Sequence, residues 1–304
     1  MDTRKVIESA GRHLQGLEGH VFDVLTVSKP VSVGAAINLA RVISKLSPLL
    51  GNVIELNTVE VLNAKPEFRP FGKWVRQDPD FPDTILRGRI SPVPGFEIKA
   101  WFPMATEITA RFRDSQKHFV HDNTCVVMLA WLPQHVIYGK PKIIGVCVAS
   151  GKSVAAARDL HYHKPPGYLV LEPEDTKWRT RNLQQTNTNG YKFQGTEKQL
   201  LKAAAVVRSW GHDGKDYKPT PDYQSKLRML ASRYPYRLDT NYAKMDRIVH
   251  PGIEAFKKAI GQKQFFGMSV NHWARVLTSG DDSTIREALK LLGIKDSRAR
   301  VLVR

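Results

Sequence analysis

The chain has 304 residues, enough to bury one large core or a core with a helical appendage, and its 42% hydrophobic and 25% charged residues are those of an ordinary globular protein. No uninterrupted apolar run approaches the roughly 18 residues of a membrane span, and the opening MDTRKVIESAGRHLQG offers no apolar stretch for a secretory signal. Lys and Arg number 46 against 29 Asp and Glu, a net charge of +17; a polyanion would neutralise that self-repulsion, so nucleic acid is the leading partner class and no membrane partner is expected.

In chain order, residues 34–46 (GAAINLARVISKL) place Ala36, Leu39, Ala40 and Ile43 on one helical face. Ser47-Pro48 then interrupts, and Leu49 to Asn63 reads as a second helix ending before Pro66. A loop rich in Pro, Gly and aromatic residues is expected through Asp80. Thr84-Ile85-Leu86 and Phe96 to Trp101 are short apolar stretches around Ser91-Pro92-Val93-Pro94-Gly95, the pattern of an antiparallel hairpin. Thr124–Leu132 and Lys142–Ala149 are nearly continuous apolar runs, as in central strands covered on both faces. They contain the two cysteines, Cys125 and Cys147, which read as small buried hydrophobes in a reducing cytosol. A helix from Ser153 and an irregular polar stretch over about 164–196 follow. From Glu197 the pattern turns mostly helical. The expected fold is an α/β core, residues 1–196, with a mainly helical region, 197–304, packed on it or forming a small subdomain.

The chemistry concentrates in Pro82-Asp83-Thr84-Ile85-Leu86 and Glu97-Ile98-Lys99. Hydrolysing a phosphodiester requires neutralised phosphate charge and an activated water. Two carboxylates converging from adjacent strands can hold Mg²⁺, a hard ion that prefers oxygen ligands. Residues two apart on a strand share a face, so Glu97 and Lys99 project together, with Ile98 on the opposite side. Lys99 is placed to position or activate the attacking water and to stabilise developing negative charge. Pro79-Asp80, just upstream, has no strand directly after it.

This arrangement resembles the PD-(D/E)XK nuclease superfamily, and type II restriction endonucleases in particular: Pro82-Asp83 matches the PD element and Glu97-Ile98-Lys99 the (D/E)XK element. The resemblance implies a central mixed sheet flanked by helices, a metal ion held by Asp83 and Glu97 with the backbone carbonyl of Ile98 as a further ligand, and Lys99 as the catalytic lysine. It also implies an acidic residue from the helix before the hairpin, for which Glu55 is preferred to Glu60, and a Gln77 that reaches the minor groove. A prokaryotic cytoplasmic enzyme, homodimeric on a short palindrome and accompanied by a DNA methyltransferase that protects the host, is the corresponding expectation. Beyond the motif, Glu107, Arg111 and Arg113 follow the strand as further charged candidates.

Residues 177–195 (KWRTRNLQQTNTNGYKFQG) contain no acid. Arg179 and Arg181 suit guanine edges; Asn182, Gln184, Gln185, Asn187 and Asn189 suit adenine edges, and Thr186 a phosphate. That composition predicts a base-reading loop. A repair or recombination nuclease of the same fold and a non-catalytic DNA-binding protein remain alternatives. Gly151-Lys152-Ser153 lacks the upstream glycine of a phosphate-binding P-loop, since position 146 is Val. His161 and His163 have no Cys or acidic cluster nearby in sequence. The helices around Gly280-Asp281-Asp282 faintly resemble a helix-turn-helix, and amphipathic packing explains them equally well.

Overall fold

A computed structural model describes residues 1–77, 81–104, 121–162, 166–171, 189–214, 220–239 and 249–294. Helix α1 (Thr3–Gln15) precedes α2 (Val33–Val42), and a 3₁₀ turn at Ile43–Leu46 leads into α3 (Ser47–Asn63). Ala36, Ala40 and Ile43 are buried, with Leu39 packed beside them, as the helical periodicity requires. Ser47-Pro48 does not break the run: proline sits in the first turn of α3, where no intrahelical N–H is lost. An 18-residue window of the helical run Val33–Asn63 reaches a mean hydropathy of 1.2, so the run is long and apolar enough to cross a membrane by length and composition. No charge-free stretch reaches that length, because Arg41, Lys45, Glu55 and Glu60 punctuate the run. In this fold α3 packs on the sheet.

Five strands form that sheet, in the order β1 (Gly72–Arg76), β2 (Thr84–Gly88), β3 (Gly95–Trp101), β4 (Thr124–His135) and β5 (Tyr138–Ser150). β3 and β4 are parallel and the other neighbours antiparallel. The structure is thus α/β with a mixed sheet. Two expectations change. The segment read as a loop through Asp80 contains β1, which pairs with β2 along its whole length. β5, expected to be central, is the last strand of the sheet; its outer edge is covered by residues 19–27, through Gly19 N–H to Ile143 C=O at 2.8 Å and a bridge between Val27 and Gly139. Covering the edge this way satisfies its backbone groups and explains an apolar sequence at a sheet border. Cys125 and Cys147 are free, the first buried and the second half-buried.

After β5, α4 (Gly151–Tyr162) touches β4, β5 and the first strand of a second sheet. That sheet joins β6 (Tyr168–Leu171), β7 (Asn189–Phe193) and β8 (Tyr236–Asp239). Two of these strands fall in the stretch read as irregular. With α5 (Glu197–Ser209) and α6 (Pro221–Arg233) they enclose a separate cluster of Leu169, Ala203, Val207, Tyr223, Leu227 and Leu230. The chain then returns to the main core through α7 (Pro251–Gln262), a short hairpin of β9 (Gln264–Phe265) and β10 (Met268–Ser269), α8 (Val270–Ser279) and α9 (Asp282–Lys290). A boundary at 196/197 therefore falls within the small cluster, between β7 and α5. α7 lies so close on β5 that a Cβ at Gly145 would stand 2.4 Å from Ile260 Cδ1. Trp273 is fully buried and donates to the Phe265 carbonyl, which makes the last helices part of the core packing.

Candidate active site

The site lies where β2 and β3 part. Their pairing is two residues long, Thr84 with Phe96 and Ile85 with Gly95, so the edge of β3 beyond Phe96 has no β2 partner. Asp83, one residue before β2, fills the gap. Its carboxylate accepts from the Ile98 N–H at 2.7 Å, and its own N–H donates to Glu97 Oε2 at 3.2 Å. A side chain thus substitutes for the missing strand, and the two acids are locked in register. Gly95 makes the approach possible: a Cβ there would stand 2.5 Å from Pro82 Cγ and 3.2 Å from the Thr84 carbonyl.

Lys99 reaches between the two carboxylates. Its Nζ donates to Glu97 Oε1 and lies 3.4 Å from Asp83 Oδ2. The alternation of β3 sends Glu97 and Lys99 the same way, and Ile98 is fully buried. Since N–H and C=O of one strand residue share an edge, the Ile98 carbonyl lies on the edge where its N–H meets Asp83.

Glu55 joins from α3. At the end of that helix the Asn63 amide exchanges two 2.9 Å hydrogen bonds with the Trp74 backbone, pinning α3 to β1. Eight residues earlier, Glu55 faces Arg76 at the end of β1, 3.5 Å away, and feels the charges of Asp83, Lys99 and Glu97. Glu60 is exposed. Of the two glutamates, the structure brings Glu55 to the cluster.

Among the described residues the cluster holds more acids than cations. Desolvation pushes the Glu55 carboxyl up to about 7, with Asp83 adding to the effect and Lys99 and Arg76 opposing it. Glu97, only 5% exposed, is likewise raised to about 7, by burial first and by Asp83, against the pull of Lys99. Burial disfavours the Lys99 ammonium, but Glu97 and Asp83 outweigh it and hold the amine charged well above its ordinary range. Among the described residues Asp83, Glu97 and Glu55 face Lys99 and Arg76, and burial is what raises the two glutamates most.

Among the described residues, no group of three or more His, Cys, Asp and Glu side chains is arranged to hold a metal ion; the Lys99 ammonium stands against both carboxylates instead. The donor chemistry nevertheless fits a hard divalent cation: carboxylates of Asp83 and Glu97, the Ile98 carbonyl on the same strand edge, and an unbalanced negative charge. Comparison with protein-family models, curated proteins and solved structures gives no match.

Gln77 leads into the loop before Asp83. Its N–H donates to the Asp83 carbonyl at 2.7 Å and its Nε2 to the Pro82 carbonyl at 3.1 Å, so the residue braces the loop that presents Asp83. Sequence reasoning also passed over Arg76, which a Gly-Lys-Trp-Val-Arg strand beside an acidic helix face could have suggested. Asp80, Glu107, Arg111, Arg113, Arg179, Arg181, Asn182, Gln184, Gln185, Thr186 and Asn187 lie outside the described residues, as does His163; Asn189 opens β7, paired with Leu171.

Proposed function

We propose that the protein is a Mg²⁺-dependent DNA endonuclease of the type II restriction kind, with a PD-(D/E)XK core, acting as a homodimer on a short specific site of double-stranded DNA. The observation that carries the reading is the meeting of Asp83, Glu97 and Lys99 in the notch between β2 and β3. An interlocked set of two acids and an amine, with Glu97 buried and Asp83 and Lys99 half-buried, is a poor stabilising device, since desolvating the charges offsets much of their attraction. Perturbed, mutually coupled groups of this kind concentrate at functional sites.

In this reading Asp83 and Glu97 hold the ion, with the Ile98 carbonyl beside them. A bound Mg²⁺ supplies charge neutralisation on the phosphate and eases ionisation of water. Lys99, held charged, stabilises negative charge that develops on the phosphate oxygens and orients the attacking water. Glu55, near 7, is matched to accept a proton at neutral pH. The excess of Lys and Arg gives the chain the charge to bind DNA. Digestion of plasmid DNA by the purified protein with Mg²⁺ tests the proposal: discrete fragments support it, a smear favours a repair or recombination nuclease, and uncut DNA favours a binding protein whose acid–lysine cluster is structural.

A further inference from the structure

Helix α3 is apolar on two sides. Leu50, Ile54 and Leu62 are buried in the core, while Val42, Leu49 and Leu56, on the helical run Val33–Asn63, are 45%, 57% and 49% exposed. A surface helix ordinarily turns a polar face outward, and one that is apolar all round is covered all round. The three exposed residues stand seven positions apart, the spacing that keeps side chains in one line along a helix packed against another. Half-buried Val53 joins that line one turn from both Leu49 and Leu56.

Charge indicates the occupant. Lys45 lies one turn before Leu49 and Glu60 one turn after Leu56; both are exposed, and neither side chain has an ion-pair partner among the described residues. Positions 45 and 60, and positions 49 and 56, share one midpoint, between 52 and 53. Reversed about that midpoint, the stripe is its own complement: Lys45 meets Glu60 of the partner subunit and Leu49 meets Leu56 of the partner subunit, each contact being made twice, as in an isologous interface. A parallel pairing would instead set lysine on lysine and glutamate on glutamate, at a like-charge cost. A lipid surface prefers cations along such a helix and gains nothing from Glu60.

Resting on the homodimer of the proposed enzyme, we infer that α3 is its subunit seam, an antiparallel contact between the α3 helices of two copies of this chain. The two-fold axis relating antiparallel neighbours runs perpendicular to the plane that holds both helices. Glu55, about 100° around α3 from Leu56, therefore faces along that axis, towards the same side in both copies. The seam thus sets two carboxylate clusters on one face of the dimer, as cutting both strands of one duplex requires.

Sedimentation equilibrium of the full chain at micromolar concentration, without DNA, is the test. The wild type is expected at twice the chain mass, and Leu56→Asp as a monomer with the wild-type circular dichroism, since Leu56 is already half exposed in the single chain. Lys45→Glu and Glu60→Lys should each weaken dimerisation roughly tenfold, because two exposed pairs turn from attraction to repulsion. The double variant Lys45→Glu/Glu60→Lys, and an equimolar mixture of the two single variants, should each recover the wild-type constant. A wild-type dimer that survives Leu56→Asp and is indifferent to the charge reversals overturns the seam and leaves a dimeric nuclease intact. A monomeric wild type overturns the seam and the dimer together; flotation of that monomer with phosphatidylcholine vesicles, lost in Leu56→Asp, would assign the stripe to a lipid surface. A dimer with charge rescue that leaves plasmid DNA uncut in Mg²⁺ keeps the seam and removes the nuclease.

Discussion

Replacing Lys99 by Met keeps the length of the side chain and removes its charge. In the native protein that charge contacts Glu97 and lies 3.4 Å from Asp83. Removing one partner of a buried ion pair typically costs about 3–5 kcal/mol; with the Lys99 side chain 30% exposed, solvent screens part of this and the low end, about 3 kcal/mol, is expected at pH 8. The cost must depend on pH. Glu97 and Glu55 are carboxyls raised to about 7 from 4.5, so the folded state binds their protons more tightly than the unfolded chain. Their stabilisation is present at low pH and lost as pH climbs through 7. At pH 5.5 Glu97 is protonated, and loss of the ammonium leaves little uncompensated charge. Thermal denaturation followed by circular dichroism should therefore show Lys99→Met melting roughly 5 °C below the wild type at pH 8 and much closer to it at pH 5.5. Added Mg²⁺ at pH 8 should raise the melting temperature of the variant more than that of the wild type, because a cation replaces the missing ammonium, yet cleavage should stay absent. An equal drop at both pH values, or none at pH 8, would refute the electrostatic account of the cluster.

Glu97→Gln should abolish Mg²⁺-dependent cutting and retain DNA binding, measured by gel shift in Ca²⁺. Gly95→Ala forces a methyl group against Pro82 and should destabilise by about 1–3 kcal/mol; because Pro82 adjoins Asp83, cleavage should fall further than the melting temperature alone implies. Gln77→Ala removes a bond worth about 1 kcal/mol to the loop carrying Asp83, so turnover should drop with DNA affinity unchanged; a selective loss of affinity for the cognate site would instead mark Gln77 as a groove contact. Arg181→Ala or Gln185→Ala should weaken binding to the specific site by about 1–3 kcal/mol while sparing random DNA, a difference that competition binding reads directly.

The hairpin carrying the candidate site was legible because both of its determinants are local: apolar stretches of strand length and a Pro/Gly turn between them. β4 and β5 were legible as strands for the same reason, whereas the border position of β5 was not, since its edge is covered by residues more than a hundred positions earlier. β1 shows only Trp74 and Val75 as apolar signal and owes its conformation to pairing with β2. β6 and β7 are four and five residues long, and their strand character comes from the small core they share with α5 and α6. Glu55 and Glu60 lie about 140° apart around one helix, so sequence offers two faces without choosing between them. The choice is made by the Asn63–Trp74 clamp and the burial of Leu50, Ile54 and Leu62, which set the rotation of α3. The destination of the Gln77 amide was equally hidden: it depends on where the Pro82 carbonyl points.

The most direct measurement is a paired digestion of one plasmid by the purified wild type and by Asp83→Ala, each with Mg²⁺ and with the metal chelated. If two carboxylates and an ammonium at the β2–β3 notch cut DNA, the wild type yields a fixed set of fragments in Mg²⁺ alone and Asp83→Ala yields none. Fragments from Asp83→Ala, or wild-type cutting that survives chelation, would contradict that assignment.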